Sequence, residues 1–194
     1  MPIEFDPEEH AYTLHGERLP SVTEVIRLLY DFNPTDSVAL EQNRHFGTAV
    51  HMATSFHDQG TLEEDTVSKP VAEFLTSWRA FVRDSQVEFI EIERPVYHRK
   101  LMYAGTPDRV ARIEGKVWVL DLKTGATLHP ASAIQLSAYL QAYNSSEEIS
   151  KRDMAEGRLS VQLTRKGYKL NDWRSPVDWP TFIACLQIHN WKWK

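Results

Sequence analysis

The chain has 194 residues, 42% of them hydrophobic and 25% charged, a length and mix that suit one globular domain able to bury a core. No run of about eighteen apolar residues occurs and the start MPIEFDPEEH is acidic, so the sequence argues against a membrane-spanning helix and a secretory leader; the expectation is a soluble cytoplasmic protein with no membrane partner. The net charge of -5 speaks against coating nucleic acid over the whole surface and leaves room for a local basic cleft, while the single cysteine, Cys185, excludes an intrachain disulfide and any cysteine-based zinc or iron-sulfur site.

Apolar alternation at Ile3 to Phe5 and Tyr12 to Leu14, around Asp6-Pro7, predicts an N-terminal hairpin. Ser21 with Glu24 forms a capping-box pattern ahead of the stripe Val22, Val25, Ile26 and Leu29, and Asn33-Pro34 ends that helix. A long helix is predicted from Asp36 to Gln59, stopped by Gly60 and carrying Gly47 and His51. Another follows over Pro70 to Asp84, with Val71, Phe74, Leu75, Trp78 and Val82 at core spacing. The period then changes. Runs at Val87 to Tyr97, Tyr103 to Ile113 and Val117 to Lys123, turned at Arg99-Lys100 and Glu114-Gly115, predict a three-stranded meander. A helix over Pro130 to Tyr143, a hairpin of Leu159 to Thr164 and Tyr168 to Leu170 turned at Lys166-Gly167, and a helix over Val177 to Trp191 complete the chain. This order predicts an α/β fold, a central mixed sheet flanked by helices. One domain over 1–194 is expected: hairpin and helices in 1–86, core sheet and following helix in 87–145, and hairpin and helix in 156–194.

An acid-x-Lys triplet is a weak signal by itself, and the chain holds two. Glu114-Gly-Lys116 sits in a predicted turn and reads as a solvated pair. Asp121-Leu-Lys123 instead ends the apolar run Val117 to Leu120, and strand alternation puts Val117, Val119, Asp121 and Lys123 on one face. An ordinary charged strand end would look the same. Context favours chemistry, because Gly105-Thr-Pro107-Asp108 in the preceding run places a second carboxylate where adjacent strands bring it beside Asp121. Two carboxylates forced together call for a cation between them, and hard oxygen ligands suit magnesium or manganese. Gly47 and His51 share one helix face, as do Gln135 and Tyr139, which can hold a phosphate or nucleotide with an amide and a phenol. The bland alternatives are a core or surface histidine and an amphipathic helix with polar shoulders.

Together these residues resemble the PD-(D/E)xK nuclease superfamily in its RecB-like exonuclease branch. The matching elements are Gly47-Thr-Ala-Val-His51, Gly105-Thr-Pro-Asp108, Asp121-Leu-Lys123 and Gln135-Leu-Ser-Ala-Tyr139, over about half the chain. Glu93, in Glu93-Arg-Pro95, is similar to an acid often found one strand earlier, and Leu19-Pro-Ser-Val-Thr23 is similar to phage-type and mitochondrial genome-maintenance exonucleases. The resemblance implies a restriction-endonuclease-like core and a divalent-metal-dependent DNA nuclease, an exonuclease more than an endonuclease, in DNA processing, recombination or repair in a bacterial or phage-infected cell. It implies His51, Asp108, Asp121 and the carbonyl of Leu122 as ligands of Mg2+ or Mn2+, with Lys123 and Glu93 completing the catalytic set. Gln135, Tyr139, Arg109 and Arg44 would contact DNA, single- or double-stranded with a free end, and Arg99 and Lys100 are further phosphate candidates; scattered solvated charge is the alternative for each arginine and lysine. A homo-oligomer or a recombination partner protein is compatible with it. Two rivals stand beside this reading: a nucleic-acid-binding module of the same fold that does not cut, and a magnesium-dependent phosphohydrolase of small phosphates.

Overall fold

A computed structural model of the chain describes residues 3–30, 37–146 and 149–192. The expected break at Asn33-Pro34 and helix start at Asp36 lie outside the described residues. Strands β1 (Glu4–Asp6) and β2 (Ala11–Leu14) form the predicted hairpin, and β3 (Glu17–Leu19) adds a third strand beside β2. That strand reads as polar in the sequence, since of Glu17, Arg18 and Leu19 only Leu19 is buried. Helix α1 (Val22–Ile26) starts on a complete capping box: the Ser21 hydroxyl accepts the Glu24 amide at 3.1 Å, and the Glu24 carboxylate accepts the Ser21 amide at 2.8 Å.

Helix α2 (Ser37–Asp58) ends at Gly60, whose φ of +71° suits glycine; the Gly60 amide donates to the His57 carbonyl and the Thr61 amide to the Phe56 carbonyl. Helix α3 (Lys69–Asp84) carries Pro70 in its first turn, where no amide is needed, and buries Val71, Phe74, Leu75, Trp78 and Phe81.

The middle of the chain departs from the expected simple meander. The first two long runs are each cut in two, giving β4 (Glu88–Ile92), β5 (Val96–Tyr97), β6 (Ala104–Gly105) and β7 (Arg109–Ile113), and β5 and β6 pair as a sheet of their own. The cuts have local causes. Glu93 takes a φ of +50° just ahead of Pro95, and Pro107, which has no amide to give a ladder, separates β6 from β7. Strand β8 (Lys116–Lys123) returns from β7 through Glu114 and Gly115, both at positive φ, the backbone a tight hairpin requires.

After β8 the chain crosses over through α4 (Ala131–Asn144) to β9 (Gly157–Thr164), which runs parallel to β8, then turns back as β10 (Gly167–Asp172) and ends in α5 (Asp178–Lys192). Gly167 pairs with Thr164, so the hairpin turns at Arg165-Lys166, one residue earlier than expected. The central sheet is ordered β10-β9-β8-β7-β4, parallel only at β8–β9. Alternation along β8 divides the core. Val117 and Val119 pack with residues of α1, α4 and α5 on one face, and Leu120 and Leu122 pack with α2 and α3 on the other. Each such buried aliphatic side chain contributes roughly 1.5–3 kcal/mol, so both faces are firmly covered.

Candidate active site

Asp121 and Lys123 stand where β8 is still hydrogen-bonded on one side, Asp121 opposite Ser160 and Lys123 opposite Gln162 of β9. The acid is therefore inside the sheet and not at a frayed end. Asp121 is only 4% exposed, which sets it apart from the ordinary charged strand end that the sequence also allows. Its Oδ1 accepts a bond from the Lys123 ammonium at 2.9 Å, and its Oδ2 is buried with no hydrogen-bond partner. An orphaned carboxylate oxygen in a packed interior costs free energy, which makes it the least settled polar atom of this region.

Asp108 precedes β7 and arrives from the adjacent strand, as Arg109 lies opposite Leu120 in the ladder. Its Oδ2 accepts the Leu122 amide at 2.6 Å, and its Oδ1 lies 3.4 Å from His51 Nδ1. Leu122 is seen here as a donor through its amide, where the resemblance implied its carbonyl. Helix α2 brings His51 in at the same place that Gly47 passes Thr124; a Cβ at Gly47 would sit 3.4 Å from the Thr124 hydroxyl, an ordinary contact.

The charges of the cluster set one another. Burial by itself raises the Asp108 carboxyl, but His51, Lys123 and the Leu122 amide outweigh it and hold the group at about 2. Burial raises Asp121, and the Asp108 charge adds to it despite the Lys123 ammonium, so its carboxyl sits above the ordinary range. For His51 and Lys123 burial acts downward, yet the carboxylates prevail and both cations are stabilised. Among the described residues, no three Asp, Glu, His or Cys side chains already converge as a metal cage.

The remaining sequence candidates divide. The Gln135 amide donates to the Tyr139 hydroxyl at 3.1 Å, so the expected pair forms. Tyr139 is 6% exposed, and burial first, then the neighbouring charges, keep its phenol neutral. The neighbour of Gly105 is the Tyr139 ring, since a Cβ there would fall 2.4 Å from Tyr139 Cε1. Glu93 is tied to the cluster by its backbone, its amide donating to the Asp108 carbonyl at 3.0 Å, while its carboxylate lies 3.7 Å from Arg109. Arg44 is exposed on α2, and Arg99 and Lys100 are exposed between β5 and β6.

Arg109 is a correction. Read from the sequence as a phosphate contact, it is 2% exposed, bonded through Nε to Asp58 at 2.8 Å and through NH1 to the Asp108 carbonyl at 2.6 Å, and stacked over Trp78. Its partner Asp58, whose side chain is fully buried and also accepts from Trp78 Nε1 at 2.8 Å, carries no sequence signal. A lone Asp at a helix end offers no motif. Tyr30 and His129, whose rings stack near the cluster, were missed for the same reason.

A mixed sheet whose central strand ends in an Asp-x-Lys, with a second aspartate delivered from the next strand and a histidine from a covering helix, thus gathers two acids and two basic groups at one point. The sequence profile of the PD-(D/E)XK nuclease superfamily matches residues 23–178, and the chain belongs to that superfamily, with its restriction-endonuclease-like fold. The chain is also similar to solved structures at low identity. The structure of LHK-Exo in complex with dAMP is 8% identical over 88% of this chain and 85% of that one, with a TM-score of 0.49. A structure of SSO0001 is 16% identical over 90% and 76%, with a TM-score of 0.43. The alkaline exonuclease LHK-Exo from Laribacter hongkongensis is 11% identical over 87% and 88%, with a TM-score of 0.42. Likenesses this distant say nothing about activity. No curated protein shows significant similarity to the chain. Among the described residues no helix is long and apolar enough to cross a membrane.

Proposed function

We propose that the protein is a divalent-metal-dependent DNA nuclease of the RecB-like branch, acting as an exonuclease from a single domain over 1–194, with Asp108, Asp121 and Lys123 at its centre. The observation that carries this reading is the buried, unpartnered Oδ2 of Asp121 beside the Asp108 carboxylate, at a point where hard oxygen donors gather. The donor set fits a magnesium or manganese ion held by Asp108 and Asp121, with His51 and the Leu122 carbonyl as further ligands and Glu93 as the acid next in line. When bound, such an ion polarises a phosphate oxygen and acidifies a water.

The chain's own groups have distinct tasks. His51 must give up its proton to serve as a ligand, since Nδ1 is the atom turned to Asp108. Lys123 stays protonated under the two carboxylates, so it acts as a cation that orients water or stabilises phosphate charge, and not as a base. Gln135 and Tyr139 hold the strand by neutral hydrogen bonds, the phenol remaining a donor at any working pH. Arg44, Arg99 and Lys100 supply phosphate contacts along the approach.

The test is incubation of the protein with end-labelled linear DNA and with closed circular DNA, with and without magnesium. Loss of label from linear DNA only, and only with the metal, is the expected result. Nicking of the circle overturns the exonuclease assignment. Full cleavage in excess chelator overturns the metal dependence, and binding without cleavage in every metal leaves the non-cutting module.

A further inference from the structure

Tyr30 and His129 form an aromatic stack that the functions assigned above leave unused. Their ring centroids are 4.7 Å apart with planes 25° from parallel. Neither ring is buried, as Tyr30 is 40% exposed and His129 is also exposed. Two stacked rings that both keep a large part of their surface in water add little to a core, so the pair has no evident structural task.

Its position is informative. Tyr30 follows the short helical turn after α1, and His129 ends the loop that leaves β8 beyond Lys123. His129 stands six residues beyond Lys123 in the chain; burial pushes the stacked Tyr30 hydroxyl up, and the Lys123 and Asp121 charges act on it in opposite senses. His129 is fixed from behind, since its Nδ1 accepts the Ala131 amide at 3.1 Å and its carbonyl the Ser132 amide at 2.9 Å, where α4 begins. One ring is therefore braced against a helix start and holds the other in place at the edge of the charged cluster.

We infer that Tyr30 and His129 are a stacking platform for the nucleobase next to the phosphate that reaches Asp121 and Lys123. A base has a flat apolar face and a charged backbone on its flank, and this surface offers an open aromatic face with a cation beside it. Stacking tolerates every base, so the platform positions a nucleotide without reading sequence. It also gives the site a preference for nucleotides that carry a base over a bare sugar-phosphate. The inference rests on the nuclease reading for its substrate, though the contact itself is tested without cleavage.

Binding is followed in chelator with a short duplex that carries 2-aminopurine at one end nucleotide and then at the other, using the full chain. Stacking of the probe should quench its fluorescence, at one end at least, with the wild-type protein and with Tyr30→Phe, and the quench should be lost with Tyr30→Ala. In parallel, cleavage with magnesium is compared on DNA with a normal or an abasic end nucleotide. Tyr30→Ala should raise KM roughly tenfold on normal DNA and change it little on abasic DNA, with kcat less affected and Tyr30→Phe restoring the wild-type value. Equal losses for Tyr30→Ala and Tyr30→Phe would assign the effect to the hydroxyl, and equal losses on normal and abasic DNA to a structural role; either result, or an unquenched probe at both ends with wild-type protein, overturns the platform. Quenching without cleavage of any DNA by the wild type sustains the platform and removes the nuclease reading.

Discussion

Two carboxylate-cation clusters lie back to back on either side of the residue pair Asp108-Arg109, and they are finished to different degrees. On the α2/α3 face, Asp58 has both oxygens engaged, Oδ1 by Trp78 and His57 and Oδ2 by Arg109. One atom of that group, Arg109 NH2, lacks a partner, and the Trp78 ring lies under the guanidinium. On the other face, Asp121 leaves Oδ2 unpaired and His51 reaches Asp108 only at 3.4 Å. The first cluster ties α2 and α3 to the sheet. The second leaves a carboxylate oxygen without a partner, the atom that the proposed metal would engage. Adjacent residues of an extended chain face opposite ways, so Asp108, just ahead of β7, and Arg109, its first residue, serve different clusters.

Breaking the closed cluster should have the largest effect. Asp58→Ala strands the Arg109 guanidinium in the interior and should cost about 3–5 kcal/mol, measured by urea unfolding. A loss under about 1 kcal/mol would mean that the pair is not the anchor described here. Asp121→Asn should behave in the opposite way, because burial already disfavours the Asp121 charge, and the amide should leave stability equal or higher at neutral pH.

A smaller effect is expected from pressing on the open cluster from behind. Gly105→Ala drives a methyl into the Tyr139 ring and towards Val22, from which the new Cβ would be 3.2 Å away, and should cost about 1–3 kcal/mol. Thermal melting measures the cost, and a neutral outcome would show that Tyr139 moves aside freely.

The smallest effect is the pH response of the metal-free protein. His51 titrates above its ordinary 6.5, so its contribution to stability is full below that value and is lost as the pH rises through the higher folded value. Asp108, held at about 2, contributes above 3.8 and loses its contribution as the pH falls towards 2. In chelator, His51→Gln should flatten the alkaline decline while leaving the acid limb intact. An unchanged alkaline decline would remove His51 from the charge balance.

Local chemistry made much of this legible in the sequence. The Ser21–Glu24 cap, the Gly60 stop and the alternation of β8 are written within a few residues, and so they could be read. The likeness of four motifs led to Asp108, Asp121, Lys123, His51 and the Gln135–Tyr139 pair, whose proximity the fold supplies. What depends on long-range pairing was not legible. Arg109 finds Asp58 across 51 positions, and Gly105 finds Tyr139 through the packing of α4; neither partner leaves a periodic trace. Strand β3 was hidden because only one of its three residues is buried, and the division of the long strands turned on the positive φ of Glu93 and on Pro107.

If Asp121 and Lys123 perform the proposed chemistry and do not hold the fold, Asp121→Asn and Lys123→Ala separate the two roles in cleavage of labelled linear DNA with magnesium, alongside melting curves and gel shifts in chelator. Both variants should stay folded and cut nothing detectable. Asp121→Asn removes a negative charge facing phosphate and should bind DNA as tightly as the wild type or more so, whereas Lys123→Ala removes an attraction and should bind less well. Cleavage at the wild-type rate by either variant, or unfolding of both, would take the active site away from these residues.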